Sequence, residues 1–240
     1  MPVPSDRPQF VSMRFTSRDD VAGLLVARAL ARVSQRANPR LLDLGCGSGQ
    51  AAIQAAKARP SLVAVALDVS AANVAAARAA ADASGVGERV ETVCADYLAW
   101  DGGSFDVIVS DGVLHLIEAS DTTLAARLAH DLTTGAVLIA TMPVDSLGNR
   151  AKILLRKMWR AAPPAVDRLI LALAVRLYPQ FSAEALADRL PYLRISPARL
   201  FGPPLIAAFA GHGLNVIAQE PWESLSVAKL DHHLIVWRRE

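Results

Sequence analysis

Residues 41–50, LLDLGCGSGQ, combine one acidic residue with three glycines at alternating positions. Glycine permits left-handed backbone conformations and lets a ligand approach the main chain closely. An apolar strand precedes the glycines and a helix follows, so the N–H groups at the start of that helix point toward a bound ligand. We therefore expect Asp43, Gly45, Gly47 and Gly49 to line a small-molecule site.

The spacing of the glycines restricts the type of ligand. In the dinucleotide fingerprint G-x-G-x-x-G the third glycine falls one position later, where this chain has Gln50. A negatively charged Asp43 repels a phosphate and attracts an ammonium group. The loop thus suits a zwitterion better than NAD or FAD. A glycine triplet alone also occurs in simple tight turns, which is the competing interpretation.

The segments around this loop follow the order of a doubly wound parallel sheet, because apolar strands alternate with helices over the first 142 residues. Strands are predicted at 62–67, 89–94, 105–110, 136–141, 213–219 and 231–237, helices at 51–58 and 71–83, and a turn at 131–135. Together with the strand before the loop, they predict a Rossmann-like α/β sheet of about seven strands. The sheet is mostly parallel, with an antiparallel last strand.

Acidic residues follow several of these strands. Asp68 comes about 20 residues after the glycine loop, a spacing typical of an acid that accepts hydrogen bonds from ribose hydroxyls. Asp96 follows the third strand, and Ser110 and Asp111 follow the fourth. Because ligands of open α/β sheets bind outside the carboxyl ends of the strands, we expect these residues to share one crevice. Helix capping is the alternative role for Asp68 and Asp96, and Ser70 could replace Asp68 as a cap.

The motif LLDLGCGSG has the form hhDhGxGxG, with h apolar, and resembles motif I of the class I S-adenosylmethionine (SAM) methyltransferases. The segment DGVLHLI is similar to motif IV of that family, and the resemblance covers residues 38–142 and 203–238. It implies that SAM is the cofactor. The loop and Asp43 would hold its methionine part, Asp68 its ribose and Asp96 its adenine. The cofactor-binding residues implied in this way are Asp43, Gly45, Cys46, Gly47, Gly49, Asp68, Val69, Asp96, Tyr97 and Ser110.

The segment DGVLHLI supplies the candidates for chemistry at the acceptor. A histidine near the methyl group helps to remove a proton from an oxygen acceptor, and His115 is placed for that role by its motif. Asp111 is the second catalytic candidate, and a structural role for His115 is the alternative. We expect His212, His232 and His233 to be structural. The histidines lack the spacing of a zinc site, so no metal is predicted.

Two further regions flank the predicted core, which comprises residues 39–142 and 203–240. Residues 1–38 are predicted to form an arm and a helix over 17–36. By resemblance, Arg14 and Phe15 of the arm are candidates to cover the cofactor, although this helix could also simply cover the sheet. Residues 143–202 predict an inserted helical lid with helices at 149–160, 166–178 and 182–190. Between residues 146 and 178 the lid carries seven basic residues against Asp167 alone: Arg150, Lys152, Arg156, Lys157, Arg160, Arg168 and Arg176.

The basic lid has two interpretations: contact with an anionic substrate or membrane surface, or the solvated face of ordinary helices. The net charge of the chain is +2, there is no appended nucleic-acid-binding module, and SDGV stands where amino-directed DNA methyltransferases have [DN]-P-P-[YF]. Nucleic acid is therefore not an expected partner. The start of the chain lacks a signal peptide, and Cys46 and Cys94 are expected to be reduced. These features predict a cytoplasmic protein.

Taken together, these patterns predict a SAM-dependent methyltransferase (EC 2.1.1.-) for a small hydrophobic metabolite, such as a natural-product oxygen or nitrogen acceptor, with release of S-adenosylhomocysteine (SAH). One alternative is a methyltransferase for a lipid or quinone-like substrate at the membrane surface. Another is a SAM-binding partner protein without turnover. A nicotinamide dehydrogenase is disfavoured by Gln50 and the antiparallel final strands. The sequence leaves open which atom of the acceptor is methylated. It also leaves open whether the protein is a monomer or an oligomer.

Overall fold

The computed structural model describes residues 19–163, 165–179, 182–187, 195–222 and 230–240. Its centre is a seven-stranded sheet in the order β3-β2-β1-β4-β5-β7-β6. The strands are β1 (Arg40–Leu44), β2 (Val63–Asp68), β3 (Val90–Cys94), β4 (Phe105–Asp111), β5 (Leu132–Pro143), β6 (Leu214–Trp222) and β7 (His232–Arg239). β7 is antiparallel to both of its neighbours, and the remaining pairs are parallel. The predicted Rossmann-like α/β fold with an antiparallel last strand is confirmed.

Helices cover the sheet on both faces. They are α1 (Asp19–Arg32), α2 (Gln50–Ala58), α3 (Ala71–Ala83), α4 (Asp121–Asp131), α5 (Leu147–Arg160), α6 (Ala165–Leu177), α7 (Ala183–Ala187) and α8 (Pro203–Ala210). Successive residues of a strand point to opposite faces. Leu41 accordingly packs in the core beneath α1, α2 and α3, while Leu42 packs in the core beneath α4 and α8. Both faces are therefore buried, which explains the nearly continuous apolar runs of the strands.

Serine side chains fix the starts of three helices. Ser70 accepts a hydrogen bond from the Asn73 N–H at the start of α3, as the sequence suggested, and Ser120 and Ser146 cap α4 and α5. A capping side chain satisfies one of the N–H groups that the first turn of a helix leaves without a partner. Helix α2 differs, because its N-cap residue is Gly49, which has no side chain to cap it.

The turn predicted at 131–135 is wrong, because β5 already begins at Leu132. Leu132 pairs with Phe105 and Val137 with Val107, so the longer stretch of β5 bulges against β4. The left-handed Gly135, with φ of 78°, lies inside this irregular stretch. The glycine and threonine signature marked a bulge in a strand, which has the same backbone requirement as a turn.

The lid region leaves the sheet and returns to it at the same place. Val144 forms an isolated parallel bridge with Phe201, and the Phe201 N–H donates to the Pro143 carbonyl at 2.8 Å. Helices α5, α6 and α7 lie between these points, close to the predicted positions. Part of the third predicted lid helix, at 188–190, and the connection between β6 and β7 at 223–229 lie outside the described residues. Within the described part of the chain, no helix is long and apolar enough to span a membrane.

Candidate cofactor and acceptor site

The glycine loop connects β1 to α2 in the conformation that its composition requires. Gly45, Gly47 and Gly49 have φ values of 76°, 53° and 77°. The N–H groups of Gly45 and Cys46 donate to the Leu67 carbonyl at 2.8 and 3.0 Å, which fixes the loop to the end of β2. A Cβ atom at Gly45 would collide with the side chain of Val113. The loop therefore needs glycine because its backbone is left-handed at these positions. At Gly45, a side chain would also collide with the segment after β4.

The start of α2 has the properties of an anion and polar-ligand site. Its N-cap residue Gly49 supplies no side-chain cap, and the Ser48 hydroxyl beside it is buried with no hydrogen-bond partner among the described residues. Free N–H groups at a helix N-terminus and the helix dipole both favour a negatively charged ligand group. A carboxylate such as that of an amino acid fits this position, and an orphaned buried hydroxyl fits a polar partner beside it.

Asp43 lies beneath the loop. Its carboxylate accepts a hydrogen bond from the Ala52 N–H at 3.1 Å, and the residue is buried. Burial, followed by the nearby charges of Asp111 and Asp68, raises the pKa of Asp43 to about 7. A cation beside Asp43 would relieve this cost, because an opposite charge stabilises the ionised carboxylate.

Asp68 at the end of β2 organises the loop from the other side. It accepts hydrogen bonds from the Gly47 N–H at 3.0 Å, the Ser70 N–H at 2.8 Å and the Asn73 side-chain amide at 3.3 Å. Burial raises the pKa of Asp68, and these hydrogen bonds oppose the rise. Ser70, and not Asp68, caps α3, which is the possibility that the sequence offered. The sequence did not predict that Asp68 holds the glycine loop. Ribose binding by Asp68 stays a prediction.

Asp111 ends β4 and is held by a neighbouring strand. The Thr141 hydroxyl of β5 donates to Asp111 Oδ1 at 2.6 Å and accepts from the Gly112 N–H at 2.8 Å. Asp111 is half-buried, and its charge acts on Asp43 together with that of Asp68. Three carboxylates from β1, β2 and β4 therefore lie close together at the carboxyl edge of the sheet, where the sequence predicts the crevice. The sequence gave no signal for Thr141.

Asp96 and Val69 lie at the same edge. Asp96 Oδ1 accepts a hydrogen bond from the Leu98 N–H at 3.0 Å, and its carbonyl accepts from the N–H groups of Ala99 and Trp100, so it stabilises the turn after β3. Asp96 and Val69 are both half-buried. Asp96 thus caps a turn rather than a helix, and contact with the cofactor stays a prediction for both residues.

Tyr97 and Ser110 are two further predicted cofactor contacts. Tyr97 is buried in the core that underlies α4, and the Arg127 guanidinium lies 5.5 Å from the centre of its ring. Ser110 is completely buried and its hydroxyl donates to the Leu44 carbonyl at 3.2 Å. Ser110 thus ties β4 to β1, and contact of Tyr97 and Ser110 with the cofactor stays a prediction. The predicted contacts Arg14 and Phe15 lie outside the described residues.

His115 lies in a short 3-10 helix after β4 and faces another histidine. Its ring is buried, with the centre 5.6 Å from that of His232 at an angle of 72°, and its Nδ1 has no hydrogen-bond partner among the described residues. Burial, then His232, Arg156 and Arg199, lower the pKa of His115 well below its ordinary value. His115 is therefore neutral at physiological pH. His232 had been expected to be purely structural, and its contact with His115 was missed.

Arg199 fixes the segment that carries His115. This buried side chain donates to the carbonyls of Leu114, Ile117 and Ala119 and pairs with Asp121, each at 2.7 to 2.8 Å. Sequence reasoning missed it because its partners are about 80 residues away along the chain. No group of three or more His, Cys, Asp or Glu residues is placed to hold a metal ion in the part of the chain that the structure describes.

Cys46 and Cys94 are both free thiols. Cys46 is buried in the loop, and burial raises the pKa of its thiol well above the ordinary value. A buried neutral thiol behaves as a small apolar side chain. Any contact between Cys46 and a cofactor therefore involves its backbone and its shape rather than a thiolate.

Comparison with known proteins agrees with this geometry. The chain is 44% identical over 79 residues to a release factor glutamine methyltransferase of Chlorobaculum tepidum, over 31% of this chain and 27% of that protein. It is 36% identical over 92 residues to ribosomal RNA small subunit methyltransferase C of Shewanella oneidensis, over 38% of this chain and 26% of that protein. It thus spans about a quarter of the length of these relatives.

A solved structure extends the similarity to nearly the whole fold. Magnesium protoporphyrin IX methyltransferase of Synechocystis, with bound SAH, superposes with a TM-score of 0.59 at 15% identity, over 92% of this chain and 83% of that one. Residues 41–135 match the family model described as a methyltransferase domain. These residues run from β1 into β5 and contain the glycine loop and the three carboxylates. Residues 41–135 of this chain therefore match a methyltransferase domain, and the chain shares the fold of a methyltransferase that binds SAH.

Proposed function

We propose that this protein transfers a methyl group from SAM to a small hydrophobic acceptor and releases SAH. The observation that carries the proposal is the acidic crevice, in which the charges of Asp68 and Asp111 act on the buried carboxylate of Asp43. SAM supplies a methyl group activated on a positively charged sulfonium. Buried carboxylates stabilise such a cation and repel the pyrophosphate of a dinucleotide.

The chain offers a matching partner for each part of the cofactor. We assign the carboxylate of the methionine part to the glycine loop at the N-terminus of α2 and its ammonium group to the vicinity of Asp43. The ribose is assigned to Asp68 and the backbone of Val69, and the adenine to Asp96. Gly45, Gly47 and Gly49 let the loop approach the ligand without side chains in the way. In-line transfer depends chiefly on this alignment and on exclusion of water.

The acceptor is assigned to the side of the crevice next to DGVLHLI, beneath the lid. His115 is neutral and offers a ring nitrogen without a partner among the described residues, so it can take a hydrogen bond or a proton from a hydroxyl acceptor. Asp111, with one oxygen held by Thr141, is the second group for this role. The lid of residues 143–202 would act as the substrate cap over this site.

A small molecule is favoured over nucleic acid as the acceptor, although one relative acts on ribosomal RNA by its name. The similarity to that relative is limited to the cofactor domain, over 38% of this chain. The crevice carries carboxylates, which repel a phosphate backbone, and His115 is almost completely enclosed. The chain also lacks the [DN]-P-P-[YF] pattern after β4.

The proposal is tested by incubating the protein with methyl-labelled SAM and pooled hydrophobic hydroxyl and amine compounds, and measuring SAH and labelled product. We expect turnover with at least one pool. His115→Gln and Asp111→Asn should lower kcat roughly 10- to 100-fold, within the range of general acid–base contributions. His212→Gln, on the distal side of the fold, serves as the control and should retain full activity. SAM binding without turnover on any pool would instead favour the non-catalytic partner protein.

A further inference from the structure

Helix α5 is oriented with its polar side toward the protein. On this side, the Asn149 amide donates to the carbonyls of Val144 and Asp231, Lys152 pairs with Asp231, and Arg156 donates to the Ile195 carbonyl. Leu147, Leu154, Leu155 and Met158 lie on the opposite side and are between 60% and 84% exposed. Their spacing follows the 3.6-residue period of one helix face. A surface helix of a water-soluble domain normally has the reverse orientation.

Helix α6 adds a second row of exposed apolar side chains. Leu169, Leu173 and Leu177 recur every four residues and are between 55% and 71% exposed. We use the term lid face for the exposed apolar residues of the two helices: Leu147, Leu154, Leu155, Met158, Leu169, Leu173 and Leu177. Exposed apolar helix faces of this kind mark an interaction site, and a hydrogen bond from Trp159 to Asp167 links the two helices.

The cations around the lid face indicate what the surface contacts. Lys157 and Arg160 on α5, and Arg168 and Arg176 on α6, are exposed and have no ion-pair partner among the described residues. The only acidic residue of the two helices is Asp167, and it accepts a hydrogen bond from Trp159 at 2.8 Å. The surface is therefore apolar and uniformly basic.

We propose that the lid face docks onto an anionic lipid surface. Exposed leucines beside lysine and arginine are the composition of a helix that lies in the membrane interface. A second copy of this chain is a poorer occupant, because a two-fold contact places the same patch on both sides and would bring the four cations of each copy together. The inference concerns binding only and does not depend on the proposed reaction.

The lid face begins close to the sheet edge that carries the proposed cofactor site. Helix α5 begins at Leu147, shortly after β5 ends at Pro143, and Pro143 lies at the same sheet edge as the glycine loop. A lipid surface on the lid face would thus lie near the edge where the carboxylates and His115 are gathered. An amphiphilic acceptor dissolved in that lipid could reach the crevice without crossing water.

The test is flotation of the purified full-length chain with vesicles of phosphatidylcholine alone and with vesicles containing phosphatidylglycerol. We expect binding to the anionic vesicles that weakens when salt is raised from about 0.1 M to 1 M, since the screening length falls from about 10 Å to 3 Å. Each basic residue near an anionic surface contributes roughly fivefold to affinity. Lys157→Gln/Arg160→Gln should therefore weaken binding by roughly 25-fold.

Matched variants separate the lid face from general effects. Leu155→Gln/Met158→Gln should also weaken vesicle binding, whereas Arg32→Gln/Lys57→Gln, which removes two exposed cations elsewhere, should not. All three pairs should retain SAH binding and the helical signal in circular dichroism, so that a loss of docking is not a loss of fold. The proposal is overturned if the wild type ignores anionic vesicles, or if the control pair weakens binding as much as the lid pair. It is also overturned if the wild type is a dimer that Leu155→Gln/Met158→Gln converts to a monomer without any vesicle binding.

Discussion

In the cofactor crevice and on the lid side of the molecule, a helix follows a parallel strand. The two regions differ in how far apart along the chain their hydrogen-bond partners lie. In the crevice, Asp43 bonds to a residue 9 positions away and Asp68 to one 21 positions away. On the lid side, Asn149 and Arg199 bond to residues 82 and 85 positions away. The crevice thus depends on backbone requirements that are local in sequence. The lid side depends on polar contacts that a few side chains make with distant parts of the chain.

The largest effect on cofactor binding is expected from a substitution in the glycine loop. Gly45→Ala combines a left-handed φ of 76° with a collision against Val113, so we expect SAM affinity to fall by about 100-fold or more. Equilibrium dialysis with SAM measures the loss. Gly112→Ala is the matched control, because Gly112 has φ of 68° but open space around its Cβ position. Equal losses in both variants would show that backbone strain alone, and not the contact with Val113, defines the loop.

A change on the lid side should affect stability more than cofactor binding. Arg199→Ala leaves three carbonyls and Asp121 without their donor, and we expect the free energy of unfolding to fall by about 3 kcal/mol. Urea denaturation measures it. Arg199→Lys keeps the charge but not the fork of donors, and should lose less. If SAM affinity fell in Arg199→Ala as far as in Gly45→Ala, the two regions would not be separable.

The sequence predicted the features that depend on backbone geometry. Left-handed glycines, apolar strands ending in acids and the Ser70 cap are each visible within about ten residues, and the structure contains them. It did not reveal that Tyr97 is buried in the core beneath α4 or that the Ser110 hydroxyl donates to the Leu44 carbonyl. Nor did it reveal the pairing of His115 with His232 or the anchoring by Arg199, because these contacts join residues that are adjacent only after the sheet is complete.

The buried carboxylate of the crevice should make stability depend on pH. The folded-state pKa of Asp43, about 7, lies above its ordinary value of 3.8. The native state therefore holds an additional proton between about pH 4 and 7, and the free energy of unfolding falls as pH rises through that window. Asp43→Asn removes this contribution. The variant should be more stable than the wild type by on the order of 1 to 3 kcal/mol at pH 8 and equally stable at pH 4.

The same variant should bind SAM more weakly, because the attraction for the ammonium group is lost. Thermal or urea unfolding at several pH values, with and without SAM, tests both effects. Parallel pH profiles for the two proteins would contradict the burial of a charge at Asp43, and unchanged SAM affinity would contradict its assignment to the methionine part.

The acceptor side should show the opposite pH dependence, with a smaller effect. Burial and neighbouring cations lower the folded-state pKa of His115 well below 6.5, so the native state holds fewer protons than the unfolded state and the free energy of unfolding falls as pH drops below 6.5. His115→Gln should reduce this acid-induced loss by about 1 kcal/mol, measured by urea unfolding at pH 7.5 and 5. His212→Gln should leave it unchanged. A steeper acid-induced loss in His115→Gln would show that the histidine is protonated in the native state.

The central claim is that the glycine loop and its carboxylates bind SAM rather than a dinucleotide, and calorimetric titration of the wild-type chain with SAM, SAH and NADH tests it most directly. The account predicts saturable binding of SAM and SAH at one site per chain and no heat of binding with NADH. Binding of NADH in competition with SAH, or no binding of either adenosyl ligand, would contradict it.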